Sequence, residues 1–365
     1  MLRFHARTDV GLKRKHNEDS LLSSEDHGLF VVADGVGGRK AGELASAITV
    51  NTFQLYAAEI KSALDRYADD PSSDNRNAVL QLLDTTANAA SRRVYESASA
   101  TGRQGMTTTL VAACVGGGAA FVVHVGDSRA YILRNGQLRQ LTEDHSMVNE
   151  LIRQGSMTRA EAATSRYRNV ITRAVGLYPN VRADTLYVEL LEGDRIMLCS
   201  DGLSDLVHPN RILEVMHGNN MHAMVDTLVQ DALDAGGRDN ITVIVVEPEA
   251  VIEAGQVAAR AKAMENLFLF EDLPFQARLR VGRIVDELFV EPGDHIVHQG
   301  DMGNTLYVVV QGQVSVVVDG LEVAVLSEGE HFGELALVDS EPRSADIDAK
   351  TYGHLLCIER DALRE

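Results

Sequence analysis

The chain has 365 residues, 45% of them apolar and 24% charged, which is typical of a globular protein and excludes a disordered tail or a coiled coil. At roughly 150 residues per domain, this length predicts two or three domains. The net charge is 34 − 53 = −19, and neither residues 1–247 (25 − 31 = −6) nor residues 248–365 (9 − 22 = −13) has a basic excess. We therefore expect neither nucleic acid nor an anionic membrane surface as a partner.

The N-terminus lacks the apolar core of a signal peptide, and no stretch reaches the ~18 consecutive apolar residues of a spanning helix. We therefore expect a cytoplasmic protein. The cysteines, Cys114, Cys199 and Cys357, lie in apolar runs without C-x-x-C spacing. That pattern predicts buried, reduced thiols rather than metal ligands.

Residues 1–247 alternate short β-branched runs with long stretches of helix-forming residues. Helices are predicted over 41–65, 77–98 and 222–235, with strands between and after them. The glycine-rich stretch 115–121 lacks the spacing of a nucleotide-binding loop, so it predicts a hairpin turn. The mixture indicates a sheet-rich core covered by helices.

The composition changes near residue 248. Residues 248–265 are rich in alanine and glutamate and predict a helical connector. Residues 266–365 are dense in valine, with turn residues about every 8–12 positions, which is typical of an all-β roll or barrel. Asp319-Gly320 between two apolar runs predicts a tight hairpin.

Acidic residues follow several strand-like runs of the first domain. The pairs Asp34-Gly35, Gly126-Asp127 and Asp201-Gly202 each end such a run, Asp239 precedes another, and Glu18 and Asp19 follow the N-terminal segment. Carboxylates gathered at one sheet edge repel each other unless cations lie between them, and all-oxygen ligands favour Mg²⁺ or Mn²⁺ over zinc. A single Asp-Gly is most often only a turn, so the metal prediction depends on the whole set.

Six separated motifs resemble, in order, those of the bacterial-like metal-dependent serine/threonine protein phosphatases of type 2C. They are TDVGLKRKHNEDS, FVVADGVGG, GMTTTLVAA, VGDSRAY, LCSDGLSD and GGRDNITVIV. The resemblance implies an α+β fold in which a layered α-β-β-α phosphatase sandwich is followed by a small jelly-roll-like β-roll. It also implies hydrolysis of phosphoserine and phosphothreonine in proteins, opposing a serine/threonine kinase.

The same resemblance implies two, or with a third site three, Mn²⁺ or Mg²⁺ ions around a nucleophilic water. The implied ligand set is Glu18, Asp34, Gly35 (through its carbonyl), Asp127, Asp201 and Asp239. Asp34 would bridge two ions, and Asp127 with Asp201 would hold the third. Asp19 and Asn240 would support the ligands without touching the ions.

Arg14 lies four residues before Glu18, where the family has its phosphate-binding arginine. A planar guanidinium can grip two phosphoryl oxygens at once. Animal relatives have a histidine, proposed as general acid, where this chain has Val36. The leaving alkoxide then takes its proton elsewhere, for example from a metal-bound water, and neither His16 nor His145 is expected to be essential. His124 lies in an apolar run and is predicted to be a core residue.

Residues 147–170 resemble the flap beside the active site of bacterial relatives, and Thr158-x-x-Glu161 predicts a capping box inside it. Because this chain has Ser165-Arg166 where many relatives have His-Pro, the sequence assigns the flap no particular contact.

The stretch FGELALVDSEPRSA (332–345) could present helix N–H groups, the carboxylate of Glu334 and the guanidinium of Arg343 to a ribose phosphate. It resembles the phosphate-binding cassette of cyclic-nucleotide-binding domains, over about 262–365. The resemblance implies cAMP or cGMP as a regulatory ligand, and it implies six contacting residues: Gly333, Glu334, Leu335, Ala336, Arg343 and Ser344.

Alternatives stay open for the second domain and, more remotely, for the first. The sequence given ends at Glu365, before the long helix that usually covers the base, so we expect weakened nucleotide affinity. An active phosphatase whose roll is a ligand-free docking or dimerisation module fits the sequence as well. A catalytically inactive binding scaffold fits less well, because every expected carboxylate and Arg14 are present.

Overall fold

The β-branched runs form strands and the long polar-apolar stretches form helices in the computed structural model, which describes residues 2–36, 41–103, 105–248, 285–335 and 342–360. Contacts divide the chain into two units, Met1–Val251 and Ile252–Glu365. Apart from residue 248, the predicted connector (248–265) lies outside the described residues. Its helical character and the domain boundaries at 247 and 266 stay predictions.

The first unit contains two antiparallel sheets. Its strands are β1 (Arg3–Asp9), β2 (Asp19–Ser24), β3 (Leu29–Val36), β4 (Thr107–Thr108), β5 (Leu110–Gly116), β6 (Ala119–Val125), β7 (Arg129–Arg134), β8 (Gln137–Gln140), β9 (Asp184–Glu189), β10 (Arg195–Cys199) and β11 (Ile241–Glu247). One sheet has the order β1-β11-β10-β7-β8, and the other has the order β2-β3-β5-β6-β9 with β4 paired to β3. The N-terminal strand thus completes its sheet beside the last strand of the unit.

Helices cover the outer faces of both sheets, α1 and α2 on one and α6 and α7 on the other. The described helices of the first unit are α1 (Ala41–Asp69), α2 (Ser73–Thr101), α3 (Met147–Arg153), α4 (Arg159–Thr164), α5 (Asp201–Ser204), α6 (Pro209–Met216) and α7 (Met221–Asp234). One buried cluster joins α1 and α2 to the six-stranded sheet, and another joins α6 and α7 to the five-stranded sheet. The sheets contact each other, with the rings of Phe4 and Phe30 centred 5.3 Å apart across the layers. The predicted α-β-β-α sandwich is therefore observed.

The first two helices are longer than the sequence predicted. Helix α1 continues to Asp69 because Tyr67 is buried against Phe121 and Tyr187. Helix α2 begins after Ser72, whose extended backbone forms the N-cap, and ends at Gly102. The predicted bounds missed these ends because they depend on packing and capping rather than on periodicity.

The local turn predictions are confirmed. Gly117-Gly118 joins β5 to β6 in a two-residue hairpin, where the sequence predicted a turn. In the segment predicted to be a flap, the Thr158 hydroxyl accepts the Glu161 N–H, and the Glu161 carboxylate accepts the Thr158 N–H at 2.8 Å. Helix α4 therefore begins with the predicted capping box.

The second unit has two four-stranded antiparallel sheets around a small apolar core, as the predicted β-roll requires. Its described strands are β12 (Val285–Val290), β13 (His295–Val297), β14 (Thr305–Gln311), β15 (Val314–Val318), β16 (Leu321–Leu326), β17 (His331–Phe332), β18 (Asp346–Ala349) and β19 (Gly353–Glu359). Asp319-Gly320 joins β15 to β16, which confirms the predicted hairpin.

The thiols are only partly as predicted. All three are free, and Cys114 and Cys199 are buried, but Cys357 is only half-buried because its side chain leaves the core face of β19. Burial raises the pKa of each thiol to about 12. Among the helices of the described ranges, none has both the length and the apolar composition needed to cross a bilayer.

Candidate active site

The strand order brings distant carboxylates to one edge of the sandwich. Asp19 at the start of β2 pairs directly with Asp34 near the end of β3. Asp201 begins α5 immediately after β10, and Asp239 lies just before β11, the neighbour of β10. The predicted site residues of four separate motifs are therefore adjacent, although up to 220 residues separate them in sequence.

Gly35 allows three backbones to meet at this edge. Its N–H donates to the carbonyl of Glu18 at 3.1 Å. A Cβ on Gly35 would lie 2.2 Å from the carbonyl oxygen of Gly42 at the start of α1, and a Cβ on Gly42 would lie 2.9 Å from Glu18 Oε2. The absence of both side chains keeps the Glu18 carboxylate and the Gly35 backbone next to each other, as a shared metal site requires.

Asp19 and Asn240 form hydrogen bonds that link the segments around the predicted ligands. Asp19 Oδ2 accepts hydrogen bonds from Ser200 Oγ at 2.9 Å and from Thr242 Oγ1 at 2.6 Å. Asn240 Oδ1 accepts the Glu18 N–H at 2.8 Å, and its Nδ2 donates to the Val10 and His16 carbonyls, each at 3.0 Å. One buried amide thus fixes the loop that contains Arg14.

Burial and mutual repulsion raise the pKa of the clustered aspartates. Burial, followed by the charges of Asp19, Asp201, Asp127 and Asp239, raises the pKa of Asp34 well above its usual range. Burial and then the Asp127 charge raise the pKa of Asp201 to about 8. Burial is also the largest cause for Asp19 and Asp127, whose pKa values rise to about 6. Near neutral pH the cluster therefore retains protons unless cations neutralise it.

The donor set fits hard divalent cations. Asp201 Oδ1, an oxygen of a predicted ligand, is buried and has no hydrogen-bond partner within the described residues. When such a carboxylate ionises, it is costly in a protein interior unless a cation satisfies it. In the described ranges, however, no group of three or more His, Cys, Asp or Glu side chains is already arranged to coordinate a metal ion.

This electrostatic arrangement predicts how pH affects the metal-free protein. An aspartate has a pKa near 3.8 when unfolded, and Asp201 has one of about 8 when folded, so the folded state holds the proton more tightly. Its contribution to the free energy of unfolding therefore declines as the pH rises from about 4 to 8. We expect EDTA-treated protein to melt at a lower temperature at pH 8 than at pH 6.5, and Mn²⁺ to remove that difference.

Melting curves of Asp201→Asn and of the exposed Asp26→Asn check this pH effect. Asp201→Asn should reduce the decline, and Asp26→Asn should leave it unchanged. The window starts at pH 6.5 because burial lowers the pKa of His124 to about 3, and that group acts in the opposite direction below its ordinary pKa. Equal melting temperatures of the metal-free wild type at the two pH values would contradict the prediction.

Two further features of the site were missed by the sequence analysis. Asp205 adds its charge to those that raise the pKa values of Asp127 and Asp201. Arg129 makes a bidentate ion pair with Asp144, with Nε to Oδ1 at 2.9 Å and Nη2 to Oδ2 at 2.7 Å. Asp205 lies in the quoted motif LCSDGLSD and Arg129 in VGDSRAY, but the motifs alone do not show that these side chains lie beside the carboxylate cluster.

Arg14 lies at the mouth of this site. Its Nη2 donates to Asp239 Oδ2 at 2.6 Å, and its side chain is about half exposed (51%). The hydrogen bond to Asp239 raises the pKa of Arg14. The guanidinium is thus anchored at one nitrogen and open to solvent, which suits binding of an incoming phosphoryl group.

The histidines are not placed as proton donors to a substrate. His124 is fully buried, as predicted for a core residue, and His145 is 6% exposed. His16 is exposed on the Arg14 loop, and only its backbone contacts the site through Asn240. Val36, where animal relatives have a histidine, is the last residue of β3.

Turnover is therefore expected to persist in His16→Ala and, at saturating Mn²⁺, in His145→Ala. Phosphate release from a phosphothreonine peptide measures it, with metal affinity determined in parallel. Complete loss of turnover in either variant, with unchanged metal affinity, would reveal a general acid that this assignment omits.

In the second unit, the structure brings Gly333 and Arg343 together. Arg343 Nη2 donates to the Thr305 carbonyl at 2.8 Å, and its guanidinium lies 5.9 Å from the Tyr307 ring centre. Nη1 is 3.5 Å from the Gly333 carbonyl. Of the other predicted contacts, Glu334 is half-buried, Leu335 and Ser344 are exposed, and Ala336 lies outside the described residues.

Sequence comparison decides the family of the first unit. A family described as Protein phosphatase 2C matches residues 13–235, more than half of the chain. The chain belongs to the protein phosphatase 2C family. It is thus a metal-dependent protein phosphatase, an enzyme that acts on phosphorylated proteins, and the layered sandwich is the fold of that family. A second family, described as Cyclic nucleotide-binding domain, matches residues 287–365, so the two are fused in one chain.

Two bacterial proteins illustrate what this phosphatase is similar to. The serine/threonine phosphatase stp of Listeria monocytogenes is 35% identical over 254 residues, covering 66% of this chain and 94% of its own. The serine/threonine protein phosphatase PstP of Mycobacterium tuberculosis is 37% identical over 248 residues, covering 68% of this chain and 45% of its own.

Solved structures of the Mycobacterium tuberculosis phosphatase PstP have the same fold as the first unit. A crystal structure of the Mycobacterium tuberculosis phosphatase PstP/Ppp has a TM-score of 0.60 at 36% identity, covering 68% of this chain and 99% of that one. A structure of the PstP catalytic domain contains two manganese ions, with a TM-score of 0.58 at 36% identity, covering 67% and 97%. A similar phosphatase therefore binds two Mn²⁺ ions.

Proposed function

We propose that the first unit hydrolyses phosphoserine and phosphothreonine in proteins, with Mn²⁺ or Mg²⁺ as cofactor and water as nucleophile. The observation that supports this proposal most directly is the buried edge where the charges of Asp19 and Asp201 act on Asp34, and where Asp201 Oδ1 has no hydrogen-bond partner within the described part of the chain. Cations bound at such a site would reduce the repulsion among its carboxylates. They would also lie near the solvent-exposed guanidinium of Arg14.

The residues proposed to hold the ions are the six predicted ones. They are Glu18, Asp34, the carbonyl of Gly35, Asp127, Asp201 and Asp239. Bound divalent cations would supply a water of lowered pKa for attack on phosphorus and would neutralise the phosphoryl charge. Asp19 would keep Asp34 in place through the β2–β3 pair, because its own carboxylate is fixed by Ser200 and Thr242.

Arg14 would bind the phosphoryl oxygens of the substrate. Its hydrogen bond to Asp239 orients the guanidinium toward the proposed metal centre, and Asn240 fixes both ends of its loop. Because the histidines do not face the site, the serine or threonine alkoxide would be protonated by solvent at the metal centre.

Phosphate release from phosphoserine, phosphothreonine and phosphotyrosine peptides, measured with and without Mn²⁺, tests this proposal. We expect metal-dependent turnover of the first two. Absence of turnover by folded, Mn²⁺-loaded protein would instead favour the inactive binding scaffold. The phosphoprotein substrates, the opposing kinase and the cytoplasmic location stay predictions.

We also propose that the second unit binds cAMP or cGMP. The support is the placement of Arg343 beside Gly333, where a cyclic phosphate could take over the hydrogen bonds that the guanidinium now makes with the Thr305 and Gly333 carbonyls. A ligand-free docking or dimerisation module is the alternative, because Arg343 already has hydrogen-bond acceptors in the Thr305 and Gly333 carbonyls.

Calorimetric titration with each nucleotide separates these alternatives. We expect saturable one-site heat with cAMP or cGMP, and loss of that heat in Arg343→Ala, because a buried phosphate would lose its cation. Lys350→Ala, which removes an exposed ion pair with Glu322, is the matched control and should bind normally. No heat with either nucleotide on folded wild type would favour docking.

A further inference from the structure

The flap segment, residues 147–170, begins and ends at one short stem. The N–H of Met147 donates to the Val170 carbonyl at 2.9 Å, and the N–H of Thr172 donates to the His145 carbonyl at 2.8 Å. Ser146 and Ile171 pair between these two bonds. The two ends of the flap segment are therefore joined to each other next to His145.

The His145 ring uses both of its nitrogens. Nδ1 accepts the backbone N–H of Gly126 at 3.2 Å, and Nε2 lies 3.1 Å from Asp184 Oδ2. Arg173, just beyond the stem, donates to the other oxygen of Asp184 at 2.8 Å. Arg173 Nη1 also lies 3.1 Å from His145 Nε2. A neutral imidazole with its proton on Nε2 satisfies the Gly126 and Asp184 bonds, and Arg173 then donates to Asp184 rather than to the ring. The ring thus joins the turn after β6 to the start of β9 and, through Arg173, to the flap stem.

The turn held by His145 is the one that contains Asp127. Gly126 lies against Thr109, because a Cβ on Gly126 would be 2.8 Å from the Thr109 side chain. On the other side of the turn, Ser128 Oγ is 2.7 Å from Thr109 Oγ1, which also accepts the Asp34 N–H at 3.0 Å. His145 on one side and Thr109 on the other therefore fix the backbone of Asp127 relative to Asp34.

We propose that His145 is a positioning residue that sets the affinity of the metal site at Asp127 and links that site to the flap stem. The Gly126 bond orients the metal-binding turn, and the Asp184 bond orients the stem. This inference rests on the proposed role of Asp127 as a metal ligand. It assigns no proton transfer to His145, because both nitrogens are already engaged inside the protein.

Two substitutions of His145 each keep one of its two hydrogen bonds, to Gly126 or to Asp184, and remove the other. His145→Asn keeps an oxygen near the position of Nδ1 that can accept the Gly126 N–H, but it cannot reach Asp184. His145→Gln keeps an N–H near the position of Nε2 that can donate to Asp184, but it leaves the Gly126 N–H without its acceptor. His222→Asn, an exposed histidine on α7, is the matched control and should match wild type in every measurement.

Hydrogen exchange of the full-length, metal-free protein measures each bond directly. In His145→Gln the Gly126 amide should exchange about tenfold faster, since one buried hydrogen bond is lost. In His145→Asn the Gly126 amide should stay protected, while the Met147 amide of the stem should exchange faster. A structural role alone would instead raise exchange uniformly and lower the melting temperature of both variants alike.

Mn²⁺ titration followed by electron paramagnetic resonance measures the effect on the metal site. Loss of a group that orients a ligand typically lowers metal affinity about 10–100-fold. In His145→Gln we expect the affinity for the most weakly bound Mn²⁺ to fall by that amount. In His145→Asn the same affinity should fall by less than threefold. Equal affinities in wild type and both variants would overturn the inference. If wild type itself binds no Mn²⁺, the proposed function fails, while the exchange data still test the two bonds.

Discussion

Asp34→Asn is expected to lower kcat/KM for a phosphothreonine peptide by on the order of a thousandfold or more, with the protein still folded. Metal ions contribute several kcal/mol to stabilising charge in such transition states, and about 1.4 kcal/mol corresponds to each factor of ten. The charges of both Asp19 and Asp201 raise the pKa of Asp34, which places its carboxylate near both. Its replacement therefore removes the proposed bridging ligand.

The same substitution should not destabilise the metal-free protein. Asn has nearly the same size as Asp and cannot ionise, so it avoids the cost of ionising a buried carboxyl group, and the melting temperature without metal should stay the same or rise. Asp26→Asn, in the exposed turn before β3, is the control and should retain full turnover. Wild-type activity in a folded Asp34→Asn protein, at any Mn²⁺ concentration, would refute the metal assignment.

Arg14→Lys should reduce kcat/KM by about tenfold to a hundredfold. The lysine keeps the positive charge but cannot bond Asp239 and two phosphoryl oxygens in one plane, and a hydrogen bond to a charged group is worth roughly 1.5–3 kcal/mol. Steady-state kinetics with a phosphopeptide series measures the loss.

The neighbouring lysines provide the matched controls for Arg14. Lys13→Gln and Lys15→Gln remove charge from the same exposed loop and should change kcat/KM by less than threefold. If these variants lose as much activity as Arg14→Lys, the loop acts through its overall charge and Arg14 has no specific phosphate contact.

The sequence allowed the carboxylate set to be proposed because its members lie next to strands, and several strand ends are visible as apolar runs bounded by an Asp beside a Gly. It also predicted the hairpins at Gly117-Gly118 and Asp319-Gly320 and the capping box at Thr158, which depend on four or fewer consecutive residues. These features are local, so no knowledge of tertiary structure was needed.

Other features depend on which elements become neighbours. The ion pair of Arg129 with Asp144 and the two bonds of His145 join residues 15 to 39 positions apart, and no local pattern distinguishes them from surface contacts. Asp205 was missed for a different reason. Its side chain lies one helical turn after Asp201, but only burial shows that it adds to the charge on the site.

The pairing of β1 with β11 has a consequence for how this phosphatase can be rebuilt. Arg3 lies opposite Glu247, whereas Asp9 and Ile241 lie opposite each other at the active-site end. At ~3.4 Å per residue, seven-residue strands put both chain ends of the unit about 20 Å from the catalytic edge. A circular permutation of the first unit that joins residues 3 and 247 through a short linker should therefore preserve catalysis. In the unpermuted unit, a sensor domain could be fused at either of these two ends.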